Sequence, residues 1–188
     1  MPTDDDWRLR ADWVMAPENL HASVEALQEA QKRDKTSLGI IKPKEFVNFT
    51  GEAVPDAERQ DYWHRYRQIM AQRELPFEDE EADTVNPLPP PEYRFRIHFR
   101  CDDAACTRVH EFGVFDWEVD ALYYGCRRRG DSREQARDKV IDKLRDVCGD
   151  DKDTRLFLGN IFSHQHVFTI VGLWFPKKRE HKQLDLFS

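Results

Sequence analysis

The chain has 188 residues, of which 39% are hydrophobic and 35% charged, and its formal net charge is −7. No apolar run approaches the roughly 18–20 residues that span a bilayer, and the acidic start MPTDDDWRLR is unlike a secretory signal, so we expect a cytoplasmic protein without a membrane segment. The acidic total argues against a large non-specific DNA-coating surface, and four cysteines do not suggest a disulfide scaffold.

Residues 1–74 are predicted to form a mainly helical N-terminal region. The first residues alternate with period two, which predicts a short strand whose apolar side carries Trp7, Leu9, Ala11, Trp13 and Met15. A helix is expected from Pro17 to about residue 32, and a short helix or turn from Pro43. Aromatic and aliphatic residues at spacings of three and four then predict a second long helix over residues 55–73.

Residues 75–92, which include five prolines and the acidic run EDEEAD, form the least regular part of the sequence. This composition predicts an extended linker between the N-terminal region and a second domain. The segment could equally lie as a strap across a single domain.

Residues 93–176 are predicted to form a C-terminal α/β domain. YRFRIHFRC alternates apolar and cationic residues and predicts a strand with one buried face. A helix with an inward stripe follows, formed by Phe115, Val119, Leu122, Tyr123 and Cys126. A second helix, capped by Asp131 and Glu134, and two paired strands complete a β-α-α-β-β order. We therefore expect an α+β fold with helices packed on a mostly antiparallel sheet, and a flexible tail over 177–188.

The string CDDAACTRVH contains Cys101, Cys106 and His110 at the end of the predicted strand. Thiolates and imidazole suit zinc, and a structural zinc site needs a fourth ligand. Cys148 or Cys126 could supply it. The alternative is ordinary buried, reduced cysteines beside a surface histidine.

One face of the predicted strand carries Arg94, Arg96, His98 and Arg100. Cationic groups this close repel one another unless a negative partner covers them. The acidic run over residues 78–83 could lie across this face, or nucleic acid could bind there.

Asp116 and Glu118 lie just inside a predicted helix start. Acidic residues at that position interact favourably with the helix dipole, which is the simpler explanation. The alternative is a divalent-metal site for phosphodiester cleavage, which would make the protein a small nuclease.

The string QLDLF at residues 183–187 resembles the Q-L-[SD]-L-F peptide by which many bacterial replication and repair proteins attach to the β sliding clamp. The resemblance implies polar contacts for Gln183, a solvent-facing Asp185, and an apolar groove filled by Leu184, Leu186 and Phe187. The alternative is an amphipathic tail that packs on its own body.

The strings FRCDDAAC, FDWEVDALY, DKDTRLFLGN and SLGIIKPKE resemble those of a group of bacterial proteins of unassigned function, which implies no activity. The tail therefore carries the functional hypothesis, a clamp-associated accessory protein of DNA replication, repair or defence, with DNA as a second candidate partner. Three alternatives stay open: the small nuclease, a clamp-groove inhibitor or adaptor without DNA binding, and a zinc-stabilised binding module with a self-packed tail.

Overall fold

The computed structural model describes residues 11–14, 16–73, 90–161 and 164–178. Most of the predicted linker and the whole of the QLDLF peptide lie outside the described residues. Within them the chain has the predicted α+β fold, with helices packed against mostly antiparallel strands. No helix in the described ranges has the length and apolar character needed to cross a membrane.

Seven strands form two sheets in the described part of the chain. The first sheet has the order β1-β2-β6-β7, and its strands are β1 (Leu20–His21), β2 (Leu38–Ile41), β6 (Arg155–Ile161) and β7 (His164–Trp174). The second has the order β3-β4-β5, and its strands are β3 (Pro43–Ala53), β4 (Tyr93–Cys101) and β5 (His110–Gly113). Among these seven described strands, β1 and β2 are the one pair that runs parallel within a sheet.

Strands from the first 53 residues pair with strands that follow the predicted linker. β2 pairs with β6, and β3 pairs with β4 over the whole length of β4. The helix or turn expected at Pro43 is wrong, because the segment is an eleven-residue strand. The strand expected over residues 7–15 lies largely outside the described residues, and residues 11–14 are helical.

The two sheets meet where β5 ends and β7 passes. Val114 forms a parallel bridge with Ile170, and the Phe115 amide donates to the Ile170 carbonyl at 2.7 Å. The Thr169 hydroxyl donates to the Gly113 carbonyl, also at 2.7 Å. These bonds satisfy part of the β7 edge and hold the two sheets together.

Four helices of at least eleven residues lie in the described ranges: α1 (Val24–Asp34), α2 (Asp56–Arg73), α3 (Trp117–Arg128) and α4 (Arg133–Val147). Ser23 caps α1 by accepting from the Ala26 amide, as expected of a short hydroxyl side chain. The predicted cap of α4 is one residue off, because Ser132 and Gln135 form the capping box.

The core lies between β4, the first sheet and helices α3 and α4. Every second residue of β4 is buried, as its alternating pattern predicts. The inward stripe of α3 includes Val119, Tyr123 and Cys126 as expected. Phe115 does not belong to it, because that ring precedes the helix and is 71% exposed.

Glu92 joins three helices to the start of β4. Its carboxylate lies 3.3 Å from the Arg59 guanidinium of α2 and 3.3 Å from that of Arg133 on α4. Arg127 of α3 approaches to 3.5 Å, and the Tyr123 hydroxyl donates to the same carboxylate. Burial and this hydrogen bond to Glu92 raise the pKa of Tyr123. A single half-buried anion thus neutralises several cations that would otherwise repel each other.

Glu92→Ala should lower the free energy of unfolding by about 3 kcal/mol, because it leaves three guanidinium groups and a phenol without their common partner. The measurement is urea unfolding followed by circular dichroism. The control is Glu58→Ala, which removes the partner of Arg94 from a more exposed pair and should change stability by less than about 1 kcal/mol. Equal losses in both variants would contradict this role of Glu92.

Candidate metal centre

Three segments bring a set of metal-binding side chains together. Cys101 is the last residue of β4, and His110 is the first residue of β5. The connecting loop turns sharply at Asp103, whose carbonyl accepts from the Cys106 amide at 2.9 Å. Glu25 reaches the same place from the first turn of α1.

The ligand atoms of Glu25, Cys101, Cys106 and His110 all lie within 4.8 Å of one another. Cys106 Sγ is 3.0 Å from His110 Nε2, and the same nitrogen is 3.6 Å from a Glu25 oxygen. Cys101 and His110 are almost fully buried, whereas Cys106 and Glu25 are half-buried. Two sulfurs, one imidazole and one carboxylate at such distances could hold one metal ion.

The protonation states differ among the four groups. Burial lowers the pKa of His110, which favours the neutral imidazole that metals require. Burial also raises the pKa of the Cys101 thiol to about 12, so a metal must displace that proton. Burial opposes ionisation of Glu25, but polar interactions with its backbone amide and the Cys106 thiol, with the nearby His110 and Arg108, lower its pKa overall.

The two carboxylate oxygens of Glu25 differ in their hydrogen bonding. Arg108 donates to Oε1 at 2.9 Å from Nε and lies at 2.8 Å through Nη2. Oε2 is buried and has no hydrogen-bond partner among the described residues. A buried carboxylate oxygen without a partner is costly, and a cation beside Cys101, Cys106 and His110 would relieve that cost.

The structure brings Cys101, Cys106 and His110 together as predicted, but Cys148 is not part of the group. Cys148 caps the end of α4 in an apolar environment, and burial raises its thiol pKa to about 12. Cys126 is buried in the core and accepts from Arg129. Sequence spacing missed Glu25 because it lies far from the cysteines along the chain, where an acidic first-turn residue has an ordinary dipole explanation.

The cationic face of β4 is covered by glutamates of neighbouring elements. Four ion pairs neutralise its arginines, Arg94 with Glu58, Arg96 with Glu52 and Glu111, and Arg100 with Glu45, and His98 is hydrogen-bonded to Thr50. The acidic residues 78–83 lie outside the described part of the chain. Nucleic-acid binding by this face stays a prediction, but the repulsion that motivated it is relieved within the protein.

Asp116 and Glu118 lie at the start of α3, and their hydrogen bonding agrees with the simpler of the two explanations, stabilisation of the helix N-terminus. The Asp116 carboxylate accepts from the Glu118 amide at 3.0 Å and so caps the helix. Burial and the neighbouring Asp116 raise the pKa of Asp120. Within the described residues, the cluster that could hold a metal does not include these carboxylates.

Cys106→Ala should abolish stoichiometric metal binding, because it removes one of two thiolates while leaving a half-buried position that tolerates alanine. The measurement is metal content by mass spectrometry after purification, together with the melting temperature with and without a chelator. Cys148→Ala is the matched control and should keep one metal per chain. Retention of metal by Cys106→Ala, or its loss from a folded Cys148→Ala variant, would contradict the assignment of the ligands.

Arg108→Ala should weaken metal affinity about 10- to 100-fold, because Arg108 fixes the Glu25 carboxylate from outside the site. Competition with a chromophoric chelator measures this change. Arg33→Ala alters an exposed guanidinium at the far end of α1, paired only with Asp34, and should leave the affinity unchanged. If the two variants bind metal equally well, Arg108 has no positioning role.

Comparison with known proteins identifies a family but no activity. No curated protein and no solved structure matches this chain significantly. One family model matches residues 20–188, which includes both sheets and all four residues of the candidate metal centre. The chain therefore belongs to the family described as "Domain of unknown function (DUF8757)".

Proposed function

We propose that this protein is an accessory factor of bacterial DNA replication, repair or defence that is recruited to the β sliding clamp. The observation that carries the proposal is the peptide QLDLF at residues 183–187. Gln183 would make polar contacts at the mouth of the clamp groove, and Leu184, Leu186 and Phe187 would fill it. Asp185 would face solvent.

The affinity expected of such a peptide suits a recruiting role. Each large apolar side chain gains roughly 1.5–3 kcal/mol when it is fully buried. Three anchors, reduced by the ordering of the peptide, give a dissociation constant in the micromolar range. Binding of this strength lets the protein exchange with other clamp partners.

The body supports the proposal by delivering the peptide from a fixed point. The Asp153 amide donates to the Pro176 carbonyl, and the Lys178 amide donates to the Asp151 carbonyl, each at 2.8 Å. The chain is thus anchored up to Lys178, and the peptide begins five residues later. The intervening segment, REHK, has two cationic side chains, Arg179 and Lys182, and one acidic one, Glu180, and the two cations would suit the phosphates of DNA inside a clamp.

The metal centre would stabilise this body rather than take part in recruitment. We propose Zn²⁺ as the ion, held by Cys101, Cys106, His110 and Glu25, because two thiolates with an imidazole favour zinc over harder cations. Two thiolates and one carboxylate bring three negative charges, which Zn²⁺ and Arg108 together balance. When bound, the ion would join α1 to the loop between β4 and β5 and contribute to folding.

One observation favours a second candidate function, that of a clamp adaptor that does not bind DNA. Arg94, Arg96 and Arg100 are each paired with a glutamate, so the cationic face of β4 is largely neutralised. Such a body would act on clamp partners by occupying the groove or by presenting another surface to them.

Replacing Leu186 and Phe187 with alanine should weaken clamp binding at least 30-fold, because it removes two of three buried anchors. Surface plasmon resonance on immobilised β sliding clamp measures the loss. Asp185→Ala is the matched control within the same peptide and should change the affinity less than about threefold. Unchanged binding of the double variant would refute recruitment through this peptide.

Surface plasmon resonance with clamp loaded on DNA distinguishes the two candidate functions. An accessory factor that contacts DNA should bind a clamp loaded on DNA more tightly than the free clamp, with a dependence on salt. An adaptor should bind both forms equally well at every ionic strength.

A further inference from the structure

An apolar groove of about 220 Å³ lies between helices α3 and α4 and the end of β7. Its lining includes Leu122 of α3, Leu144 and Val147 of α4, and Leu173 and Phe175 from the last part of the described chain. Leu122 and Leu173 are only half-buried, and 39% of Phe175 is exposed. Such an opening leaves large apolar side chains in water unless something covers them.

Charged groups of both signs border the groove. Asp116 and Glu118 stand at the start of α3, and Lys143 projects from α4. A suitable occupant is therefore a short segment with several large apolar side chains, flanked by cationic residues and carrying one acidic residue. Residues 183–187, QLDLF, have three large apolar side chains and one acidic residue, and the preceding residues 179–182, REHK, add two cations and one further acid.

The path of the chain brings this segment to the groove. Phe175 lines the groove, and the hydrogen bonds of Pro176 and Lys178 to the loop after α4 fix the next three residues close by. From Lys178 to Leu184 an extended chain spans up to about 20 Å, so Leu184, Leu186 and Phe187 can reach the apolar lining. A connection this short gives an effective concentration in the millimolar range, so even weak docking is populated.

We propose that residues 183–187 dock in this groove of their own chain, and that the groove and the sliding clamp compete for the same side chains. The competition rests on the proposed function, recruitment to the clamp. Its regulatory consequence is that the clamp can recruit only those molecules whose peptide has left the groove. If four-fifths of the molecules are docked, the apparent affinity for the clamp falls about fivefold.

Methyl NMR tests the docking without any clamp. The methyl signals of Leu122, Val147 and Leu173 should have different chemical shifts in the full chain than in a chain ending at Lys178. The Leu186→Ala/Phe187→Ala variant should give the same shifts as the shortened chain. The methyl groups of Val24 and Leu27, which lie in α1 outside the groove, should not change. Identical groove spectra in all three proteins would overturn the proposal, and so would shifts that vanish on dilution, because they would show docking between chains.

Clamp binding tests the competition. A synthetic peptide of residues 179–188 should bind the clamp about fivefold more tightly than the full chain does. Leu122→Lys, which places a charge in the groove, should raise the affinity of the full chain to that of the peptide. Ala121→Lys, an exposed change one residue earlier, should have no effect.

The two failures are distinguishable. A peptide that does not bind the clamp refutes the proposed recruitment, while the NMR comparison still decides whether the peptide docks on its own body. A peptide and a full chain that bind the clamp equally well, with no effect of Leu122→Lys, refute self-docking and leave recruitment intact. Circular dichroism of both lysine variants shows whether they are folded.

Discussion

Strand β4 is paired with β3 along its whole length, and this pairing decides where both the core and the candidate metal centre lie. The buried face of β4 supplies Phe95, Ile97 and Phe99 to the core, and its last residue is Cys101. Because β5 pairs with the same strand from the other side, His110 lies opposite Phe99. The cluster with Glu25 therefore depends on the register of a sheet built from distant parts of the chain.

The periodic patterns of the sequence predict those strands and helices that bury one face and expose the other. β4, α3 and α4 each have a single apolar face, and the structure places them close to their predicted bounds. β3 could not be predicted in this way, because its exposed and half-buried residues do not alternate regularly and its pairing with β4 contains two register shifts. Its strand conformation comes from the backbone bonds that β4 offers, a tertiary effect which no local pattern carries.

The candidate metal centre likewise combines residues that are close together in the sequence with one that is far away. Cys106 lies in the loop that Cys101 and His110 flank, so the spacing of the three residues alone suggests a shared site. Glu25 joins them only because α1 packs beside that loop, and its pairing with Arg108 also spans the two halves of the chain. Cys148 was a reasonable chemical choice, but its buried position at the end of α4 serves packing.

The pairing of early strands with late ones also has a consequence for folding during synthesis. β2 leaves the ribosome roughly a hundred residues before its partner β6, which at about 5–20 residues per second leaves it without that partner for several seconds. The nascent chain therefore exposes apolar strand edges that can pair wrongly with other chains. Because β2 and β3 each pair with a strand from the later half of the chain, the contacts that complete both sheets are non-local, and such contacts slow folding.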